Sequence, residues 1–550
     1  MGVSRLAPYL LTFALATPAL ADQNIVYMAQ KGDVSQAFEQ YIGSQCHDFS
    51  VLQQLALATI INGAASRDDE TRLLSLFGAG ISLNENCLPP LTDALTSDNP
   101  QLQVPAMHFL AQFQDDRADC AIEKALGSNY LLVRLEAAHL LASKRHANAV
   151  QHIESLMYKV DPALLPLFPQ LYAAHGGHDA LNLLKKQLYH KDPAVQVGAI
   201  LSAASAGHDQ LLPHIRTLAN QFLFKQQEAA TVALGIFGDS QSIPRLQKLS
   251  NSPSSFVQLA ALQALYRLGS QELAQKIEGL ALEGDLYAIT ALGEVPESLP
   301  TLITLFDHSD PQIRTNAAIA ALNLRDPRCL KPLLEVMIKD KRDLALQQTS
   351  SPGGALTAWK LVPSAQQNFK ESPFNYELSQ RHRETLLTQA SQLPQEDFLS
   401  LASTLFDHQQ HDLVPTLVAL LQNLNTPDAI ATLKKYQRQV GAPFIRHYCN
   451  LALYRLNEEG PYADNLKKWI TEQQDTDLIR FRPTLPWDVS KSASPHQLTP
   501  HETSSLLVES FEALAQARDE KSLCILLNAM NQGNEKNRYA LAGLLLRALQ

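Results

Sequence analysis

This chain of 550 residues has little cysteine, little charge and no long basic run. Its six cysteines (Cys46, Cys87, Cys120, Cys329, Cys449 and Cys524) include no C-x-x-C pair, so zinc ribbons and thioredoxin-like redox chemistry have no basis here. In an oxidising compartment Cys46 with Cys87 is the candidate disulfide; the alternative is that most of the six are small core residues. Lys and Arg number 45 against 55 acidic residues, a formal net charge of −10. Without a basic cluster, duplex nucleic acid and an anionic membrane surface are disfavoured as main partners. Aromatic residues do not interleave with basic ones as a single-strand groove requires. G-x-S-x-G, P-loop, H-E-x-x-H and dinucleotide fingerprints are all missing, so the sequence nominates no catalytic residue, no metal ligand and no cofactor. Beyond residue 21 no apolar stretch is long enough to span a bilayer.

What is present begins with the first 21 residues. Arg5 supplies a positive start, residues 6–16 are an apolar run, and Ala19-Leu20-Ala21 before Asp22 has the small-x-small form cut by signal peptidase. That layout predicts a cleaved export signal. With no cysteine at the cut site, a lipid-anchored form is disfavoured.

The middle of the chain repeats every 31 residues. Ala106, Ala137, Phe168, Ala199, Ala230 and Ala261 form one column, small in five of six positions. Sixteen residues after each comes an aliphatic: Ile122, Ile153, Leu184, Ile215, Leu246 and Ile277. The next position is polar throughout: Glu123, Glu154, Lys185, Arg216, Gln247 and Glu278. Asn99-Pro100, Asp161-Pro162 and Asp192-Pro193 place an N-cap before a first-turn proline. Gly176, Gly207, Gly238 and Gly269 rebuild one turn on successive units. Each unit therefore reads as two antiparallel helices, A then B. Neither buries its apolar face without a stacked neighbour.

These residues, with the V-R-x-x-A-A segment (Val133 to Ala138, restated from Ile313 to Ala318), make the chain resemble HEAT-repeat proteins. It is similar in particular to the short HEAT-like units of phycobilin lyases. The resemblance implies an all-α fold, an α-α superhelix or HEAT-like solenoid, and B helices that line a groove. Function is less constrained, because such repeats serve scaffolds, adaptors, transport receptors and a few enzymes.

The expected organisation is a signal peptide over 1–21, an N-terminal helical cap over 22–97 and HEAT-like repeats over 98–340. An irregular insertion follows over 341–383, then further degenerate repeats over 384–474. A Pro- and aromatic-rich loop at 475–503 precedes a C-terminal helical cap at 504–550. Lys185 and Arg216 form a basic step on the B helices suited to an acidic partner segment. Phe481 and Trp487 offer aromatic anchors in the second irregular stretch, or pack on the chain itself. His146, His178 and His208 gather near the turn within each repeat, but packed helices stand about 10 Å apart, too far for shared metal ligation. The reading is an exported adaptor that binds protein partners, in a bacterial periplasm or envelope or outside the cell. The alternatives are a chromophore-lyase-like enzyme, which the export signal disfavours, and a secreted host-directed protein.

Overall fold

Asp192 opens its helix as its sequence suggests, one carboxylate oxygen accepting the Ala194 N–H at 2.9 Å. Asn99, Asp285 and Asp310 do the same at the heads of their helices. The computed structural model describes residues 18–44, 48–221, 223–338, 344–363, 373–480 and 498–550. At the other end of each A helix, Gly176, Gly207, Gly238 and Gly269 take φ of +64°, +73°, +66° and +103°, the left-handed turn foreseen for them. Asp161-Pro162 departs from the pattern. With Pro166 and Pro169 close behind, the chain forms a 3-10 segment, Pro162–Leu167, before the helix Phe168–His175.

Every member of the small column, Phe168 included, is completely buried, and so is every member of the aliphatic column. The chain is an all-α stack of antiparallel HEAT-like helix pairs. The A helices used below are α1 (Pro193–Ser205), α2 (Phe224–Ile236), α3 (Ser255–Arg267), α4 (Leu286–Ala291) and α5 (Pro311–Asn323). Among them α1 packs on α2, α2 on α3 and α4 on α5, whereas the B helices are short, as at Leu212–Leu218 and Ile243–Leu249. Small residues permit the close A–A crossing: a Cβ on Gly235 of α2 would lie 2.9 Å from Ala264 Cα of α3.

Two compact units divide the described chain. The larger runs from Leu141 to Glu458. It contains the expected irregular insertion, which holds the one departure from all-helical structure among the described residues. Strands β1 (Leu344–Ser350) and β2 (Thr357–Pro363) form an antiparallel hairpin with Ser350 opposite Thr357. The next helix, α6 (Pro373–Ala390), starts earlier than the expected position near Glu384. Ser372-Pro373 reads as a breaker in sequence, but proline is well suited to a first helical turn.

The smaller unit joins residues up to Leu140 with 459–480 and 500–550. The segments expected to cap opposite ends share one core here. The helix Arg538–Ala548 packs on Phe49–Ala64 and Asp69–Ser82. A Cβ on Gly543 would come within 2.2 Å of the Gly78 carbonyl oxygen, so this crossing is backbone against backbone. The helix Pro18–Gln30 runs through the expected cleavage position, and residues 1–17 lie outside the described residues.

Candidate functional site

The A helices of the larger unit carry two polar residues where their repeat columns favour small or apolar ones. Glu228 on α2 shares its phase with Leu135, Pro166, Val197, Leu259 and Thr290. Asn316 on α5, one short unit of 25 residues after Ala291, follows Glu136, Leu167, Gly198, Ala229, Ala260 and Ala291. Both are buried, Glu228 to 2% exposure and Asn316 completely. A buried polar side chain costs free energy unless it is hydrogen-bonded, so each needs a partner. The hairpin supplies both.

Glu228 receives the turn between the strands. The Ser351 hydroxyl donates to Oε1, the Gly353 N–H donates to Oε2 at 3.0 Å, and the Ala355 N–H reaches Oε1 at 3.4 Å. Glycine lets the turn come this close, since a Cβ on residue 353 would sit 2.5 Å from the Glu228 carboxyl carbon and the carboxylate would have to shift. Gly354, at φ +67°, lies over Val197 and Leu201 of α1. Burial pushes the Glu228 carboxyl above the usual carboxylate range, and the bonds from the turn oppose that rise in part.

Asn316 holds the second strand. Its Nδ2 donates to the Trp359 carbonyl and its Oδ1 accepts the Trp359 N–H, both at 2.8 Å. The same amide is oriented from within the stack. Nδ2 also donates to the Gln312 carbonyl at 2.8 Å, and the Thr290 hydroxyl donates to Oδ1 at 3.0 Å. On the other side α6 meets β1: Leu346 N–H donates to Ser379 Oγ at 2.9 Å, and His382 Nδ1 lies 3.1 Å from the Leu346 carbonyl. The Trp359 ring meets the His382 ring edge-on at 5.1 Å between centroids. The arrangement grips a tight turn through Glu228 and extended backbone through Asn316.

The residues singled out from sequence lie elsewhere. Lys185 is exposed near the end of the B helix His178–Gln187. Arg216, one rung on, turns inward to Asp239, with Nε and Nη2 donating at 2.8 and 2.6 Å to a carboxylate whose side chain is 3% exposed. One of the two charges of the basic step is therefore committed within the fold. Phe481 and Trp487 lie outside the described residues, as does Cys46. Cys87 is a buried free thiol, raised by burial.

The histidines of the intra-repeat turns tie adjacent rungs to each other. His175 Nε2 lies 3.1 Å from the His146 carbonyl, and His208 Nε2 lies 2.8 Å from that of Ala173. In the smaller unit a cavity of about 530 Å³ is lined by Asp69, Glu70, Asn99, Asp477, Arg480 and Lys536. Within it Lys536 pairs with Glu70 at 2.6 Å, and the Asn99 amide donates to Asp69 at 2.9 Å.

Sequence reasoning passed over Glu228 and Asn316 because it followed the columns that repeat. The available signal was the exception: a carboxylate in a mostly apolar phase, and an amide in a phase that is small at its four preceding positions.

Residues 226–252 match the family model described as PBS lyase HEAT-like repeat, a segment that includes Glu228. No curated protein matches the chain. Among solved structures it is similar to the complex of CpcE and CpcF of phycocyanin lyase from Nostoc sp. PCC7120, at 19% identity over 39% of this chain and 92% of that one, with a TM-score of 0.30. It is also similar to Kap121p bound to Ste12p, at 11% identity over 98% of this chain and 77% of that one, with a TM-score of 0.38. Human deoxyhypusine hydroxylase aligns at 14% identity over 55% of this chain and 95% of that one, with a TM-score of 0.20. At these identities the likeness concerns helical-repeat architecture alone.

Proposed function

We propose that this HEAT-like scaffold is an exported adaptor that binds protein partners in a bacterial periplasm or envelope. The observation that carries the binding half is the grip of Glu228 and Asn316 on a non-helical segment of the same chain. A surface that holds a turn and the strand after it through two fixed polar side chains has the chemistry of peptide recognition. Stacked repeats supply a rigid frame for it, with many small contacts around a few anchors. The export half rests on the charged start, apolar run and Ala19-Leu20-Ala21 of the first 21 residues.

Cell fractionation followed by crosslinking mass spectrometry tests both halves. An exported adaptor appears outside the cytoplasm with Asp22 as its first residue, crosslinked to specific proteins through its A helices. Retention in the cytoplasm, or no crosslinked protein above a size-matched control, overturns the reading. The lyase-like alternative draws on the repeat family that residues 226–252 match. Covalent pigment on a substrate protein after co-expression with a bilin source would establish that alternative instead.

A further inference from the structure

We propose that the seat formed by Glu228, Asn316 and the Val197–Leu201 floor is a binding site for a partner's turn and the strand that follows it, the turn carrying Ser-x-Gly or Thr-x-Gly, and that the hairpin is its internal stand-in. This rests on the adaptor reading and names the site and the ligand class.

The seat reads two features of whatever occupies it. Asn316 bonds both the N–H and the carbonyl of a single residue, a contact available to any extended residue except proline. Glu228 is selective. It takes a hydroxyl, the N–H two residues later, and no Cβ at that second residue. In the hairpin those roles fall to Ser351 and Gly353. A partner therefore needs a tight turn made of a hydroxyl residue, any residue, glycine and a residue that accepts the left-handed conformation of Gly354, followed by an extended run reaching Asn316.

The seat is prepared in advance. Thr290 and the Gln312 carbonyl hold the Asn316 amide in its binding orientation through groups of the helical stack alone. Glu228 stands on a helix packed by α1 and α3. Removing the hairpin opens the covered side of both polar groups to water, so the open seat replaces hairpin bonds by water bonds rather than leaving orphans. Nor does the hairpin look self-sufficient, since a lone two-stranded hairpin is marginal in water and draws its stability from what it docks against. Being tethered, it competes at an effective concentration on the order of millimolar, so a partner gains most when the latch is loosened.

The test uses the full chain and a fluorescent acetylated peptide with the sequence of residues 350–363. Gly353→Val drives a side chain into the Glu228 carboxyl and should release the internal hairpin; Trp359→Pro, which removes the N–H that Asn316 accepts, is the second latch variant. Fluorescence anisotropy should show the peptide binding either latch variant at least tenfold more tightly than wild type. Adding Asn316→Ala or Glu228→Ala should remove that gain. Circular dichroism, with hydrogen exchange across α2 and α5, identifies which latch variant keeps its helices, and the comparison is read on that one. Equal affinity for wild type and the folded latch variant, or affinity indifferent to Asn316 and Glu228, overturns the site. Crosslinking of partners in cells separates the two ideas. Partners still captured by the Asn316→Ala latch variant leave the adaptor reading standing and sink this site; peptide binding without any cellular partner does the reverse.

Discussion

Asn316 acts as a neighbouring strand to Trp359: its side-chain amide makes the pair of 2.8 Å bonds that a strand's backbone makes, on a residue already paired with Gln348. A single helix position thereby extends a two-stranded sheet. Asn316→Asp keeps the shape but replaces the donor facing the Trp359 carbonyl with an acceptor. We expect a loss of about 1–3 kcal/mol, the usual cost of a buried group left unsatisfied. Urea unfolding should show it, with hydrogen exchange accelerating across 344–363.

Glu228 makes the hairpin latch sensitive to acid. Its folded pKa is raised, chiefly by burial, so its favourable contribution is complete below the ordinary carboxylate value and is lost as pH rises through the folded one. Stability relative to Glu228→Gln should therefore increase as pH falls from 7 towards 4.5. Urea midpoints of the two proteins across that range supply the difference. A difference that shrinks on acidification would contradict the burial of the carboxylate.

Adjacent residues on one B helix should behave oppositely. Leu184 is fully buried, and Leu184→Ala should cost about 2–5 kcal/mol, the range for emptying a packed core site. Lys185 is exposed, and Lys185→Ala should change stability by less than about 0.5 kcal/mol. A thermal melt of each decides it.

Arg216→Ala strands the Asp239 carboxylate, leaving the Ser242 hydroxyl at 2.5 Å as its remaining side-chain donor. The loss should reach about 1–3 kcal/mol at neutral pH, as expected for a buried group deprived of its main partner. Arg216 holds the Asp239 carboxyl below the usual carboxylate range. The contribution is thus present above the unfolded pKa and lost as pH falls through the folded one, so wild type and variant should converge in acid. A partner-binding test on the basic step belongs at Lys185, because reversing Arg216 disturbs the fold as well.

The repeat was legible because stacking imposes size on each column: Ala199 and Ala230 where helices cross, Leu184 and Ile215 where layers meet. The glycine turns and Asp-Pro starts were legible because both are local chemistry. The hairpin was not. Its strands, LALQQTS and TAWKLVP, lack strong alternation, and their conformation depends on Glu228 and Asn316, far away in sequence. The shared core of the smaller unit was hidden for a related reason: residues 22–97 and 504–550 follow no common period, so nothing in their spacing announces that they meet.

That meeting is tight enough to test. Gly543→Val forces a branched side chain against the Gly78 carbonyl oxygen and should destabilise the smaller unit by several kcal/mol, more than the ordinary range for overpacking, because backbone rather than a side chain must yield. Hydrogen exchange should rise across Phe49–Ala64 and Asp69–Ser82, far from the substitution in sequence.

Leu549 accepts a 2.9 Å hydrogen bond from Gln53, 496 residues earlier, so the helix Phe49–Ala64 completes its core with one made much later in synthesis. Translation order and assembly order are thereby decoupled. The earlier helices must wait, unfinished, until the later one is made, and a stop codon before Arg538 should unravel residues 49–82, hundreds of positions upstream.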